Sequence, residues 1–194
     1  MTPRSRRRTA WIGGLACLSL VTGLALPRPR PLIVWNAGAS APVGAYRVLY
    51  DGPVTVGDYV AIVPPAPLAA FMAERHYLPL GLPLIKRVAA QSGAVICRHE
   101  AAVSINGKPV AQAAERDHLG RALPVWSGCR ALRPGELFVI NGPQDSFDSR
   151  YFGPLGATQL LGKAVPLVTR DAPTAPLAWR RFSTRRSAQP LPEG

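Results

Sequence analysis

The chain has 194 residues, enough for one domain with short appendages. It carries 23 Lys and Arg against 11 Asp and Glu, a formal charge of +12, and 47% of its residues are hydrophobic. That apolar content excludes wholesale disorder, while 21 Pro and 18 Gly exclude a long-helix bundle or coiled coil. The charge invites a nucleic-acid reading until it is mapped. Arg4, Arg6, Arg7, Arg8, Arg28 and Arg30 lie at the front and Arg180, Arg181, Arg185 and Arg186 at the back. Residues 31–179 hold 13 basic and 10 acidic residues, a net of only +3 (13 − 10). That stretch has no basic face interleaved with aromatics, and no nucleic-acid partner is expected.

Residues 1–8 form a basic segment, followed by 18 uncharged residues, Thr9 to Leu26. A spanning helix needs about 20, and flanking arginines can reach back to the interface. The segment therefore reads as a transmembrane signal anchor that uses the lipid bilayer as a partner. The denser basic cluster precedes it, which puts the N-terminus in the cytoplasm and exports the rest. A cleaved signal peptide is the competing reading, with Ala37-Gly38-Ala39 as an A-x-A match, and a buried soluble helix is a third. Cys17 falls inside the apolar segment, leaving Cys97 and Cys129 in the body. In an oxidising compartment these two suggest one disulfide, the alternative being two unpaired buried thiols.

Residues 27–35 read as a linker whose apolar end, Leu32 to Trp35, meets the membrane surface. Strands are expected at 46–50, 59–63, 84–89, 95–98, 103–105, 108–110, 137–140 and 162–168. Asn106-Gly107 signals a hairpin turn. Leu68 to Tyr77 is the one convincing soluble helix. Residues 36–170 thus form a mainly β domain with one short helix, and 171–194 read as a disordered basic tail.

Three segments offer chemistry. In Asn36-Ala-Gly-Ala-Ser40-Ala-Pro42-Val-Gly44-Ala-Tyr46, small residues and a constrained backbone surround one serine. That suits a hydroxyl presented to a peptide carbonyl, and it equally suits a plain loop. In the second, Lys86 sits among apolar residues, and lysines are scarce: Lys86, Lys108 and Lys163 against 20 Arg. Burial can turn a lysine into a neutral general base, whereas Arg cannot release its proton; the other reading is a snorkelling strand lysine. The third, Asn141 to Pro154, is a dense polar turn in which Asp148 and Arg150 can pair with each other or with Arg87, and Ser146 and Ser149 offer hydroxyls. His76, His99 and His118 occupy structural or solvated contexts. No metal-ligand spacing, phosphate loop or GxSxG motif is present, and neither cofactor nor metal is expected.

In this order and behind an anchor, the segments resemble the type I signal peptidase family. Ser40 with its following proline is similar to the nucleophile box, Lys86-Arg87-Val88 to the general-base box, and Ser146 to Gly153 to the last box. The pattern Ser40-x-Pro42-x-Gly44-x-Tyr46, with Asp117, Gly120-Arg-Ala-Leu-Pro124 and Gly128-Cys129, most resembles the conjugative-transfer, TraF-type branch. The resemblance implies a β catalytic domain with a Ser–Lys dyad at the outer, periplasmic face of a bacterial inner membrane. Ser40 would attack, Lys86 would move the proton, and Ser146 would orient the Lys86 amine. Asp148 and Arg150, with Arg87, would form a supporting ion-pair network. The Ser40 backbone N–H would supply part of the oxyanion hole. The implied substrate is an exported precursor, a conjugative pilin, with small residues at −1 and −3, bound as an added β-strand and released by hydrolysis or cyclisation. The partner would be the transfer apparatus. A general signal peptidase and an inactive envelope protein of that apparatus are the rival readings; a self-cleaving repressor lacks its DNA-binding helix pair here. Two positions depart from the family pattern. Gly38 replaces a hydroxyl residue two before the nucleophile, leaving its donor role to Asn36 or a second backbone N–H. Ala94 follows Gly93 where relatives often carry Asp.

Overall fold

The computed structural model describes residues 30–172 and 174–180. The basic segment 1–8, the expected span 9–26 and the tail beyond residue 180 lie outside the described residues. Among the described residues no helix is long and apolar enough to cross a membrane. The elements in chain order are β1 (Ile33–Asn36), β2 (Val43–Leu49), β3 (Tyr59–Ile62), α1 (Ala66–Glu74), β4 (Leu84–Gln91), β5 (Val95–His99), β6 (Ala102–Ile105), β7 (Lys108–Gln112), β8 (Gly128–Ala131), β9 (Leu137–Val139), the single-turn α2 (Ser149–Phe152), β10 (Leu160–Arg170) and β11 (Ala178–Trp179). The body is mainly β with one short helix, as its composition and patterning imply.

A large antiparallel sheet runs β1-β2-β10-β3-β4-β9, with β11 paired to β10, and a smaller one runs β7-β6-β5-β8. Period-two patterning sets the faces. In β2, Gly44, Tyr46 and Val48 are buried while Arg47 is exposed. Gly44 has φ +145°, and an added Cβ would collide with the Val168 carbonyl of β10, so the sheet can close there only over glycine. Three apolar clusters result. One, around Val60, Ile62, Met72, Leu84 and Val88, joins α1 to β3, β4 and β9. A second, around Tyr46, Val48, Ala61 and Ile85, lies against β2, and a third, around Ile96, Val103 and Phe138, seats the small sheet.

Asn106 and Gly107 both have positive φ (50° and 78°), as a type I′ turn between β6 and β7 requires. The run 33–36, assigned above to a linker, is a strand: Ile33 pairs with Arg47 and Asn36 with Gly44. Its apolar residues serve a sheet edge, with Val34 buried in the core. Order also continues past residue 170, because Ala178 and Trp179 pair with Thr169 and Val168. Arg180 there bonds the Thr169 hydroxyl (2.7 Å) and pairs with Asp171 (2.7 Å).

Candidate active site

Ser40 sits in the loop between β1 and β2, and Asn36 shapes that loop. Its Nδ2 donates to the carbonyls of Gly38 (2.9 Å), Ala41 (3.2 Å) and Pro42 (3.1 Å), and its Oδ1 accepts the Gly38 N–H (3.2 Å). The Tyr46 hydroxyl donates to the Pro42 carbonyl (2.7 Å). Each fixed position of Ser40-x-Pro42-x-Gly44-x-Tyr46 therefore has a physical role. Ser40 presents the hydroxyl, Pro42 offers its carbonyl to Asn36 and Tyr46, Gly44 admits β10, and Tyr46 ties the loop to the core. Asn36 is fully engaged in the loop, so its side chain does not replace the donor that Gly38 lacks. No hydrogen bond among the described residues engages the Ser40 backbone N–H.

Lys86 lies on β4, on the same face as the core residues Leu84 and Val88, and is 3% exposed. Its Nζ stands 3.2 Å from Ser40 Oγ and 2.9 Å from Ser146 Oγ. Burial pushes the Lys86 amine down from 10.5 to about 8; the Asp148 carboxylate opposes that shift and the Arg150 guanidinium adds to it. A substantial neutral fraction at mildly alkaline pH follows, held beside a half-buried serine hydroxyl. Residues 84–87 of β4 pair with β3 on one side. On the other side β9 pairs from Val88, and the Arg87 carbonyl accepts the Ile140 N–H (2.9 Å).

The polar turn after β9 encloses this pair. Asp148 is fully buried and caps α2. Its Oδ1 accepts from the Arg150 N–H (3.1 Å) and Nε (2.8 Å), and its Oδ2 from the Asn141 N–H (3.0 Å) and Arg150 Nη2 (3.0 Å). Arg150 also donates to the carbonyls of Asn141 (2.7 Å), Gln144 (3.2 Å) and Gln112 (3.4 Å). Ser149 Oγ accepts the Val139 N–H (3.0 Å), which ties the turn to the end of β9. Every charged atom is matched, the condition under which a buried ion pair is tolerated. Arg98, itself 3% exposed, reaches from β5 to the Arg150 carbonyl (2.7 Å) and anchors the turn to the small sheet.

Arg87 does not join this network. Alternation along β4 turns it away from Lys86, and its Nε donates to the Gly57 carbonyl (3.0 Å). Among the described residues it forms no ion pair with Asp148, and only its backbone serves the site. One residue given no role in the sequence reading does belong there. Asn141 donates from Nδ2 to Ser40 Oγ (3.3 Å) and to the Ile85 carbonyl (3.3 Å), and its Oδ1 accepts the Arg87 N–H (2.9 Å). It opens the polar turn, and the only sequence signal was its place directly after the apolar run 137–140.

Asp117 and its Gly-Arg-x-Leu-Pro neighbours hold the segment just after α1, through Arg75 and Tyr77. The Asp117 carboxylate accepts from the Tyr77 hydroxyl, the Leu119 N–H (2.9 Å), and the Arg121 N–H (2.9 Å) and Nε (2.7 Å). These bonds hold the carboxyl well below the usual range against its partial desolvation. Cys97 and Cys129 are directly paired residues of β5 and β8 and form a disulfide. His99 joins them in a cluster whose potential ligand atoms lie within 4.8 Å of one another, but sulfurs bonded to each other are not thiolate ligands.

Residues 6–168 match the family described as signal peptidase, peptidase S26. The chain belongs to that family. Among curated proteins it is 35% identical over 188 residues to the probable conjugal transfer protein TraF of Sinorhizobium fredii, covering 87% of this chain and 95% of that one. It is 39% identical over 150 residues to the conjugal transfer protein TraF of Agrobacterium fabrum, covering 70% and 82%. The plasmid transfer protein TraF of Escherichia coli matches at 32% over 169 residues, covering 81% and 93%. Among solved structures, a signal peptidase I from Enterococcus faecalis matches at 16% identity with a TM-score of 0.32, covering 58% of this chain and 97% of that one. That level of structural likeness carries no further inference. Family membership rests on the sequence match, which spans all three segments of the site.

Proposed function

We propose that this signal peptidase family member is a Ser–Lys endopeptidase that removes leader segments from exported precursor proteins in conjugative transfer. It works at the periplasmic face of a bacterial inner membrane, held there by the segment at 9–26. The observation that carries the reading is the Ser40 Oγ to Lys86 Nζ distance of 3.2 Å, with the amine buried and depressed to about 8. Neutral Lys86 takes the hydroxyl proton as Ser40 Oγ attacks the scissile carbonyl, and Ser146 holds the amine in line. The Ser40 N–H faces the developing oxyanion. As the C–N bond breaks, Lys86 returns the proton to the leaving amine, giving an acyl-Ser40 ester. Lys86 then deprotonates a water that attacks the ester, releasing the acyl product as a carboxylic acid and restoring the Ser40 hydroxyl.

The substrate segment lies extended at the mouth of the site, with small side chains at −1 and −3 fitting against the Ser40 loop. The names of the relatives favour a precursor used in conjugal transfer over the general pool of secreted precursors, and a pilin is the candidate substrate. If the N-terminal amine of the acyl segment itself, rather than water, attacks the ester, its proton passes through Lys86 to the Ser40 oxygen and that segment leaves as a cycle.

The test is co-expression with a pilin precursor from the same transfer system, read by intact mass. Wild type shortens the precursor, and Ser40→Ala and Lys86→Ala do not. Processing that persists in either variant refutes the dyad. A product one water lighter than the linear fragment identifies cyclisation.

A further inference from the structure

Asn141 is 2% exposed, and each of its polar groups has a partner. Its backbone N–H and carbonyl are held by Asp148 Oδ2 (3.0 Å) and Arg150 Nη2 (2.7 Å). Its side chain bridges β4 and the nucleophile, with Oδ1 on the Arg87 N–H (2.9 Å) and Nδ2 on the Ile85 carbonyl (3.3 Å) and Ser40 Oγ (3.3 Å). These contacts fix the orientation of the amide. An N–H on one side and a carbonyl on the other require Oδ1 toward Arg87 and Nδ2 toward Ile85, which also turns a donor onto Ser40. Among the described residues, neither Asp148 nor Arg150 bonds to Ser40 or Lys86. Among the described residues, Asn141 is the only one that hydrogen-bonds both to the ion pair and to the nucleophile.

We propose that Asn141 is a catalytic hydrogen-bond donor to Ser40, and that the Asp148–Arg150 pair acts on the reaction by positioning it. The proposal rests on the Ser–Lys reading and adds a third group to it. An amide nitrogen has no lone pair to receive the hydroxyl proton. With Nδ2 occupying one side of Ser40 Oγ, the Ser40 O–H turns to Lys86, the acceptor that must take the proton. The same N–H stabilises the negative charge that grows on Oγ as that proton leaves. An aspartate here would still accept from the Arg87 N–H. It would turn an acceptor on Ser40 Oγ and the Ile85 carbonyl, and it would bring a negative charge close to the Lys86 ammonium.

The experiment measures precursor cleavage by the full chain against pH for wild type, Asn141→Ala and Asn141→Asp, with melting temperatures alongside. Asn141→Ala is expected to lower kcat about tenfold to a hundredfold with little change in KM. Its acidic limb should stay at the wild-type pH, since Lys86 is untouched. Asn141→Asp is expected to lose at least as much and to shift that limb to higher pH, because the carboxylate favours charged Lys86. A substrate-free arm uses Ser40→Cys alone and Ser40→Cys combined with Asn141→Ala. It follows alkylation of the new thiol by iodoacetamide, resolved from Cys17 by peptide mass. Removing the Asn141 donor should raise the apparent thiol pKa. Wild-type kcat in Asn141→Ala, or an unchanged thiol pKa, overturns the proposal. So does an Asn141→Asp limb that does not move while activity merely follows the melting temperature. If Ser40→Ala itself cleaves as wild type does, the Ser–Lys reading has failed, while the alkylation arm still decides the hydrogen bond.

Discussion

Replacing Lys86 with methionine should abolish processing and make the folded chain more stable. Lys86 is 3% exposed, and burial depresses its amine from 10.5 to about 8. Between those values the unfolded chain holds a proton that the folded chain has released, so wild-type stability rises with pH through that window. Below about pH 8 both states are protonated, and the full cost of a buried ammonium is present. The gap between 10.5 and about 8, at about 1.4 kcal/mol per decade of proton affinity, makes that cost about 3 kcal/mol. Methionine has a similar volume and no charge, but it leaves the buried Ser146 hydroxyl without its 2.9 Å partner, which offsets about 1 kcal/mol. A net gain of about 2 kcal/mol is therefore expected at pH 7. At pH 10, where most of the ionisation cost has gone, the gain should vanish. Urea denaturation of both full-length proteins at the two pH values, compared at constant m, measures it. The wild-type cleavage rate should rise in parallel through about pH 8 as the neutral amine accumulates. An equal stability difference at pH 7 and pH 10 would refute the reasoning, since Lys86 would then titrate like a surface lysine.

Asp148→Asn should leave Arg150 buried without its counter-charge and cost about 3–5 kcal/mol in urea denaturation, with processing lost alongside. Gly44→Ala should lower stability by at least about 2 kcal/mol, because its Cβ meets the Val168 carbonyl; a neutral result would mean that β2 and β10 can separate there freely. Cys97→Ser with Cys129→Ser should cost about 2–4 kcal/mol, and reduction of the wild type should lower its melting temperature while leaving the double variant unmoved. Arg98→Ala should lower processing more than Arg87→Ala, since Arg98 holds the Arg150 carbonyl and the Arg87 side chain holds only Gly57. The reverse order would put Arg87 back into the site.

Much of the fold was legible because it obeys local rules. The apolar runs expected as strands at 46–50 and 84–89, which overlap β2 and lie within β4, and the Asn106-Gly107 turn each carry their own signal. Elements that exist only through their neighbours were not legible. β1 is four residues beside an apolar segment and looks like linker until β2 pairs with it. All four residues of β8 are exposed, so it offers no hydrophobic pattern, and β11 is two residues docked on β10. At the site, residue type and context marked Ser40 and Lys86 as candidates and the ordered resemblance to the family's boxes gave them their roles, whereas Asn141 carried no such signal. An asparagine after a strand is common, and its role comes from reaching Ser40, 101 residues away in sequence.

The sequence by itself determined the β class and the distribution of charge, because residue type and alternation act over a few neighbouring positions, and it pointed to Ser40 and Lys86 only through the resemblance of their segments, in order, to the family's boxes. It left open whether Lys86 is buried or a snorkelling surface lysine, and tertiary structure decided between them. Burial on the core face of β4 depresses its proton affinity, and closure of the sheet brings it within 3.2 Å of Ser40. Tertiary structure also separated Arg87 from Arg150, since strand alternation sends Arg87 to the opposite face while the turn after β9 folds Arg150 inward onto Asp148. Distances and desolvation are sums over residues far apart in the chain, and only the folded arrangement fixes them.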